Sequence, residues 1–266
     1  MFSEKGCKKK YGTNYYNCQP EGRVGKTTTA INLSACLAEA GQHVMLVDFD
    51  PQGNASSGLG VEKEDYEHTV YDMMAEEADL DECLVKNIQD NLDVLPSDMN
   101  LAGAEIEFQE VEDKETLLKR YLDKVRDNYD FILIDCPPSL NILTINALTA
   151  ADTVLVPIQC EYYALEGLNQ VLKTVELVKR KLNPQLELEG VVFTMYDART
   201  NLSLQVVESV KNNLNQTIYK TIIPRNVRLA EAPSHGMSIN LYDTRSTGAE
   251  SYRMLAAEVM SRGEEL

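Results

Sequence analysis

The sequence predicts an α/β fold built on a doubly wound, mostly parallel sheet flanked by helices. Short apolar runs rich in β-branched residues recur along the chain, and continuous runs of this kind are typical of strands buried on both faces of a parallel sheet. Segments with helical spacing separate these runs, so strands and helices alternate. The predicted strands are residues 43–48, 130–136, 153–158, 190–195 and 218–223.

Helical segments are recognised by apolar stripes and by their ends. The first follows a glycine-containing turn and ends near Gly41. The segment 163–182 places leucines and valines on one stripe and its lysines elsewhere, as an amphipathic helix requires. Tyr162 and Tyr163 at the start of that helix are expected to pack against the core. Because no repeat or linker divides the chain, we expect one domain over residues 21–266, preceded by an atypical segment, residues 1–20.

Charge is unevenly distributed along the 266 residues, which carry 42 acidic and 25 basic side chains and a net charge of −17. This balance excludes a protein that coats nucleic acid through its overall charge. Residues 62–115 hold 19 acidic and 3 basic side chains, and we expect a solvated surface of helices and loops there. Residues 199–262 hold 8 basic and 5 acidic side chains, which leaves room for a local phosphate-binding patch.

The cysteines and the hydropathy pattern point to a cytoplasmic protein. The six cysteines form no CxxC pair, so inert thiols in a reducing compartment are expected. No stretch reaches the roughly 18 apolar residues that a membrane helix needs.

A phosphate-binding loop is the strongest local motif. The segment EGRVGKTTT at 21–29 contains Gly22, Val24, Gly25, Lys26 and Thr27 and leads into the first helix. A glycine loop that enters a helix presents backbone N–H groups and a positive dipole end to phosphate. Lysine then contacts the β and γ oxygens, and the threonine hydroxyl contacts Mg²⁺. The motif therefore predicts a nucleotide site.

Three aspartates support this site. Asp48 and Asp50 follow one predicted strand and Asp135 ends another, at the carboxyl edge where α/β sheets bind ligands. Mg²⁺ on a nucleoside triphosphate needs a carboxylate nearby, and Asp135 fits that role. Asp50 is predicted to orient the attacking water, and Asp48 to support the metal shell.

Five longer segments extend these motifs: VGKTTT at 24–29, DFDPQGN at 48–54, IDCPPS at 134–139, QCEYYALEG at 159–167 and IPRNVRLAEAPSHG at 223–236. Together they closely resemble the ParA/Soj chromosome-partitioning ATPases, which are P-loop NTPases of the deviant Walker A type. The related MinD proteins end in an amphipathic membrane helix, whereas residues 252–266 here are more typical of a packed final helix.

The resemblance implies an ATP-dependent switch. Such proteins bind ATP and Mg²⁺, form a sandwich homodimer, bind DNA without sequence preference and associate with the nucleoid, and a ParB/Spo0J-like centromere-binding protein stimulates their hydrolysis. Carried over residue by residue, the resemblance implies that ATP is held by Gly22, Val24, Gly25, Lys26, Thr27, Thr28, Pro224 and Asn226, with Pro224 and Asn226 at the adenine base. It implies that Mg²⁺ is held by Thr27, Asp48 and Asp135, and that catalysis rests on Lys26 and Asp50. Arg199 and Arg228 match positions that contact DNA. A surface ion pair is the alternative role for both arginines.

The chain departs from the family at the start of the loop. The family has lysine where this chain has Glu21, and glycine where it has Arg23. A carboxylate repels phosphate, and a side chain strains a loop that needs glycine. Either the protein is divergent, or residues before Val24 result from a frame error in the coding sequence.

The leading functional hypothesis is a DNA-segregation ATPase whose hydrolysis is weakened by these departures. The alternative is a hydrolysis-deficient regulatory protein on the same fold. A membrane-positioning ATPase is disfavoured.

Overall fold

The computed structural model describes residues 24–265 apart from residues 140, 215 and 216. Its strands are β1 (Val44–Asp48), β2 (Val85–Gln89), β3 (Leu92–Leu95), β4 (Phe131–Asp135), β5 (Thr153–Gln159), β6 (Glu187–Tyr196) and β7 (Ile218–Pro224). The α-helices are α1 (Lys26–Glu39), α2 (Asn54–Gly58), α3 (Val70–Met74), α4 (Leu80–Cys83), α5 (Ala104–Glu107), α6 (Leu117–Val125), α7 (Ile142–Ala150), α8 (Ala164–Lys181), α9 (Asn201–Asn213), α10 (Val227–Glu231), α11 (Ile239–Tyr242) and α12 (Thr247–Glu265).

Within the described residues the strands pair in two groups. One has the order β2-β3-β1-β4 and the other the order β5-β6-β7. Every pairing is parallel except that of β2 with β3. The predicted mostly parallel α/β architecture is confirmed, and each of the five predicted strands corresponds to an observed one. Strands β1 and β4 are buried along their whole length, as their continuous apolar runs predicted.

The acidic stretch differs from the expected surface of helices and loops, because it also contains β2 and β3. Strand β3 extends the sheet beside β1, with Leu92, Val94 and Leu95 fully buried. Its aspartate, Asp93, lies on the less buried side and accepts a hydrogen bond of 2.7 Å from the Tyr129 hydroxyl. Strand β3 has only four residues, so its pattern of buried and polar positions does not stand out among the acidic neighbours in the sequence.

Helix α1 is buried because it is covered by the sheet and by α12. It packs on β1 and β4 and, on its other side, on the last helix. Buried Thr29 and Tyr252 share a hydrogen bond of 3.0 Å between their hydroxyls, and Asn32 accepts one of 2.7 Å from the backbone N–H of Ile239. The carboxyl-terminal segment therefore fixes the helix that follows the phosphate loop. The expected packed final helix is observed.

Strand β7 has its outer edge covered by α12. The Glu258 carboxylate accepts hydrogen bonds from the backbone N–H groups of Lys220 and Thr221, at 2.9 and 3.1 Å. Arg262 lies 3.9 Å from the centre of the Tyr219 ring. Unpaired strand N–H groups invite pairing with other chains, so this cover protects the sheet edge.

Tyr162 and Tyr163 do not pack in the core: they are 78% and 58% exposed. The described cysteines are buried thiols and not parts of disulfides, as predicted. Residues 1–20 lie outside the described residues, so the division into a segment 1–20 and a domain 21–266 stays a prediction. Over the described part of the chain, helices fall short of the length and apolar character needed to cross a bilayer.

Candidate functional site

The phosphate loop is fixed by the sheet and by one glycine. Gly25 has φ +80°, a conformation that L side chains rarely adopt, and helix α1 begins at the next residue. The Thr194 hydroxyl of β6 donates a hydrogen bond of 2.8 Å to the carbonyl of Val24. Among the described residues no side chain caps α1, so its first backbone N–H groups are left for a ligand. Thr27 and Thr28, partly buried, lie in that first turn.

Lys26 and Asp135 are both buried charged side chains. The ammonium of Lys26 and both carboxylate oxygens of Asp135 find no partner among the described residues. The side chains are 7% and 1% exposed. Because buried polar groups are nearly always paired in native proteins, such orphans point to a missing ligand. An orphaned cation and an orphaned carboxylate are the groups that a phosphate and a divalent cation would pair with.

The electrostatics of these groups follow from burial. Burial lowers the pKa of Lys26, and the charges of Cys136, Asp135 and Asp50 oppose that shift. Burial raises the pKa of Asp135 and the Asp48 charge raises it further, while the Thr27 hydroxyl and Lys26 act against the rise. Asp48 and Asp135 are paired across β1 and β4, so two carboxylates end neighbouring strands. A bound cation would relieve their repulsion.

Asp48 holds the loop that carries Asp50. Asp48 accepts hydrogen bonds from the Ser56 backbone N–H at 2.7 Å and the Ser56 hydroxyl at 2.8 Å, and one from the Asp50 backbone N–H at 3.3 Å. Burial raises the pKa of Asp48 to about 6, although the Ser56 hydrogen bonds lower it. Half-buried Asp50 accepts a hydrogen bond of 2.9 Å from the Gln52 backbone N–H.

Gly53 lets this loop turn back towards α2. Its φ is +61°, and an added Cβ would lie 2.9 Å from the carbonyl oxygen of Ser97. Ser97 also donates its backbone N–H to the Ser56 hydroxyl, at 3.4 Å. The loop is thus clamped between the ends of β1 and β3. Ser56 and Thr194 were missed by sequence reasoning, because their roles depend on neighbours brought close only by the fold.

The predicted adenine residues lie where β7 ends. Pro224 closes the strand, and Asn226 caps α10 by accepting a hydrogen bond of 2.8 Å from the backbone N–H of Arg228. The Asn226 amide also donates to the Thr247 hydroxyl at 2.8 Å. Both side-chain groups of Asn226 therefore have protein partners, and its predicted contact with a base stays a prediction.

The two predicted DNA-binding arginines are exposed and ion-paired. Arg199 is held by both oxygens of Asp197, with Nε 2.8 Å from Oδ1 and a terminal nitrogen 2.7 Å from Oδ2. Arg228 lies 2.8 Å from Glu231 and 3.4 Å from Asp243. The ion-pair alternative raised from the sequence is thus observed, and the same side chains remain open to solvent. Their contact with DNA stays a prediction.

The beginning of the loop lies outside the described residues. This applies to Gly22, predicted to contact ATP, and to the two departures Glu21 and Arg23. Their predicted effects stay predictions.

The fold and the site together define a P-loop nucleotide-binding protein. A family described as an AAA domain matches residues 18–188. The sporulation initiation inhibitor protein Soj of Bacillus subtilis is 59% identical over 243 residues, covering 91% of this chain and 96% of that protein. The chromosome partitioning protein ParA of Caulobacter vibrioides is 50% identical over 244 residues, covering 91% of each. The chain belongs to the Soj/ParA family of chromosome-partitioning ATPases.

Solved structures agree on the fold. Cobyrinic acid a,c-diamide synthase from Mycobacterium smegmatis, solved with ADP and magnesium, is 34% identical with a TM-score of 0.83, covering 96% of each chain. MinD from Pyrococcus horikoshii, solved with Mg-ADP, is 25% identical with a TM-score of 0.78, covering 94% of this chain and 96% of that one. Proteins with different names thus share this fold, so the fold alone does not select the function.

Proposed function

We propose that this protein is an ATP-dependent DNA-segregation ATPase. In this proposal its MgATP-bound sandwich homodimer binds DNA without sequence preference, and a ParB/Spo0J-like centromere-binding protein stimulates hydrolysis. The protein would act in the cytoplasm in association with the nucleoid, and not at a membrane. Membership of the Soj/ParA family supports this function. The observation that carries it is the burial of Lys26 and Asp135, whose charged atoms have no hydrogen-bond partner within the described part of the chain.

The residues of the site take distinct roles in this proposal. Lys26 and the open N–H groups at the start of α1, including Thr27 and Thr28, bind the phosphates of ATP. Gly25 and Val24 shape the turn around them. Asp50, on the loop clamped by Asp48, orients a water molecule for attack on the terminal phosphate. Gly22, Pro224 and Asn226 complete the proposed nucleotide contacts.

The donor set also fits Mg²⁺. Thr27 and Asp135 would hold the ion with oxygen atoms, and Asp48 would support them from the neighbouring strand. When bound, Mg²⁺ neutralises charge on the phosphate oxygens. Asp48 keeps its three hydrogen bonds from Ser56 and Asp50, so its contribution is to position the loop and the local charge.

DNA binding in this proposal uses a local surface and not the net charge. Arg199 and Arg228 lie in the segment where basic residues outnumber acidic ones. Binding through a few phosphate contacts weakens steeply with salt. Dimerisation would double the number of contacts and so the avidity. Arg199→Ala or Arg228→Ala should therefore reduce ATP-dependent DNA retention while ATP affinity is kept, and unchanged retention would refute the assignment of this surface.

A specific sequence feature favours a second candidate, a hydrolysis-deficient regulatory protein on the same fold. Glu21 and Arg23 replace the family's lysine and glycine. Turnover stimulated by DNA and a ParB-like partner should be compared between this chain and the double variant Glu21→Lys with Arg23→Gly. We expect weak turnover in the first and restored turnover in the second. Equal, robust turnover in both would refute the weakening, and none in either would favour the regulatory protein.

A further inference from the structure

We infer that Glu231 is a built-in competitor for DNA phosphate at Arg228, so that the protein restrains its own affinity for DNA. This inference rests on the proposed DNA-binding function and concerns its regulation. The two exposed arginines, Arg199 and Arg228, have equal charge but unequal surroundings.

Arg228 is enclosed by acceptors on two sides. One terminal nitrogen lies 2.8 Å from Glu231 Oε2, and its Nε lies 3.4 Å from Asp243 Oδ2. The Tyr242 hydroxyl donates to the same Glu231 oxygen at 3.2 Å. The Tyr242 ring in turn stacks on His235, with 5.0 Å between the ring centres. Two carboxylates surround one guanidinium, so the local charge around Arg228 is negative although the side chain is half exposed.

Arg199 is bound in a different way. Asp197 takes the edge formed by Nε and one terminal nitrogen, in a bidentate pair. A guanidinium has five N–H donors, so three remain for another acceptor. Arg199 is also 86% exposed at its side chain. Arg199 is therefore oriented by Asp197, whereas Arg228 lies beside two carboxylates, with a hydrogen bond to Glu231 and an ion pair with Asp243.

A DNA phosphate that contacts Arg228 must either displace the Glu231 carboxylate or bind beside it against charge repulsion. An exposed ion pair contributes little to stability because solvent screens it, so a DNA phosphate can displace the Glu231 carboxylate at moderate cost. The pair thus lowers affinity without abolishing it. Glu231 lies three residues after Arg228 on the short helix α10, and a change of side-chain rotamer is enough to release the arginine.

Glu231→Gln tests this inference in the full-length protein. Glutamine keeps the length of the side chain and an oxygen that can accept from Tyr242, and it removes the charge. The probe is a random-sequence DNA duplex with a non-hydrolysable ATP analogue and Mg²⁺. At about 0.1 M salt we expect the variant to bind about 3- to 10-fold more tightly, since each protomer of a dimer gains one released arginine.

Two further variants separate a released arginine from a general change of charge. Glu187→Gln removes the same charge from the exposed side chain that begins β6. Arg228 and Glu231 follow the end of β7, which pairs with the end of β6, so a ten-residue strand of about 30 Å separates Glu187 from them. That distance exceeds the screening length of about 10 Å, so this control should bind as the wild type does. In an Arg228→Ala background, Glu231→Gln should give no gain, because there is no arginine to release.

The outcomes distinguish the inference from the proposed function. If the wild type binds duplex DNA but Glu231→Gln binds no more tightly, the competitor role is overturned and the DNA-binding function stands. The role is equally overturned if the gain persists in the Arg228→Ala background or appears in Glu187→Gln. If no form of the protein binds duplex DNA, the proposed function fails and the inference fails with it.

Discussion

Replacing Ser56 by alanine tests whether the Asp48 carboxylate organises the loop that carries Asp50. The substitution removes the hydroxyl donor at 2.8 Å from Asp48 and keeps the backbone donor at 2.7 Å. A hydrogen bond to a charged group contributes about 1.5–3 kcal/mol. The same hydroxyl accepts a longer bond from the Ser97 backbone N–H. At pH 8 we therefore expect Ser56→Ala to lower the free energy of unfolding by about 2 kcal/mol.

The stability lost in Ser56→Ala should depend on pH, and the ionisation of Asp48 decides whether the loss grows or shrinks as pH rises. Burial raises the folded-state pKa of Asp48 to about 6, above its value in the unfolded chain. The free energy of unfolding therefore falls as pH rises from the unfolded-state pKa through about 6, because the buried carboxylate becomes ionised. The Ser56 hydroxyl stabilises the ionised form, and its removal raises the folded pKa further. The difference between variant and wild type is therefore largest above pH 6. Below it, where Asp48 is protonated in both, the difference should shrink to about 1 kcal/mol, the value for a neutral hydrogen bond.

Urea unfolding followed by circular dichroism at pH 8 and pH 5 measures both values. Ser57→Ala is the matched control, because this neighbour in α2 is exposed. The control should change the free energy of unfolding by less than about 0.5 kcal/mol. If Ser56→Ala matched the control at pH 8, or lost more stability at pH 5 than at pH 8, the account of Asp48 would be wrong.

Three further predictions concern the site and its support. Lys26→Ala should abolish the rise in melting temperature that MgATP gives the wild type, since the phosphate ligand is gone; an undiminished rise would contradict the site. Tyr252→Phe should lower the free energy of unfolding, measured with urea, by about 1–2 kcal/mol, because it leaves the buried Thr29 hydroxyl unpaired. Adding Thr29→Val should recover part of this loss, and a fully additive loss in the double variant would refute the pairing. Glu258→Ala should uncover the β7 edge and increase aggregation on mild heating, measured by light scattering against Glu250→Ala; equal aggregation would refute the protective role.

The fold could be predicted from the sequence where burial on both faces leaves a continuous apolar run. That is the case for β1 and β4, and the position of Asp48 and Asp135 at the same sheet edge followed from it. Strands β2 and β3 were missed, because β2 has no buried residue and β3 is short, and neither has such a run. Tyr162 and Tyr163 were placed in the core because residue type alone does not distinguish a packed aromatic from an exposed one.

The site was predicted only as far as its motifs reach. The structure brings Lys26, which begins a helix, close enough to interact electrostatically with Asp135, which ends a buried strand, and their roles stay predictions. The hydrogen bonds of Ser56 and Thr194 were not predictable, because they join residues whose proximity depends on loop geometry. The second carboxylate on Arg228, Asp243, is 15 residues away along the chain and reaches it only through the turn after α11.

The most direct test of the central claim is retention on random-sequence duplex DNA with MgATP or with MgADP, over a series of salt concentrations. We expect retention with MgATP to exceed that with MgADP and to fall steeply as salt rises, as for a surface that contacts DNA phosphates only in the ATP-bound dimer. Equal retention with both nucleotides, or none with either, would contradict the claim that ATP at Lys26 and Asp135 controls DNA binding.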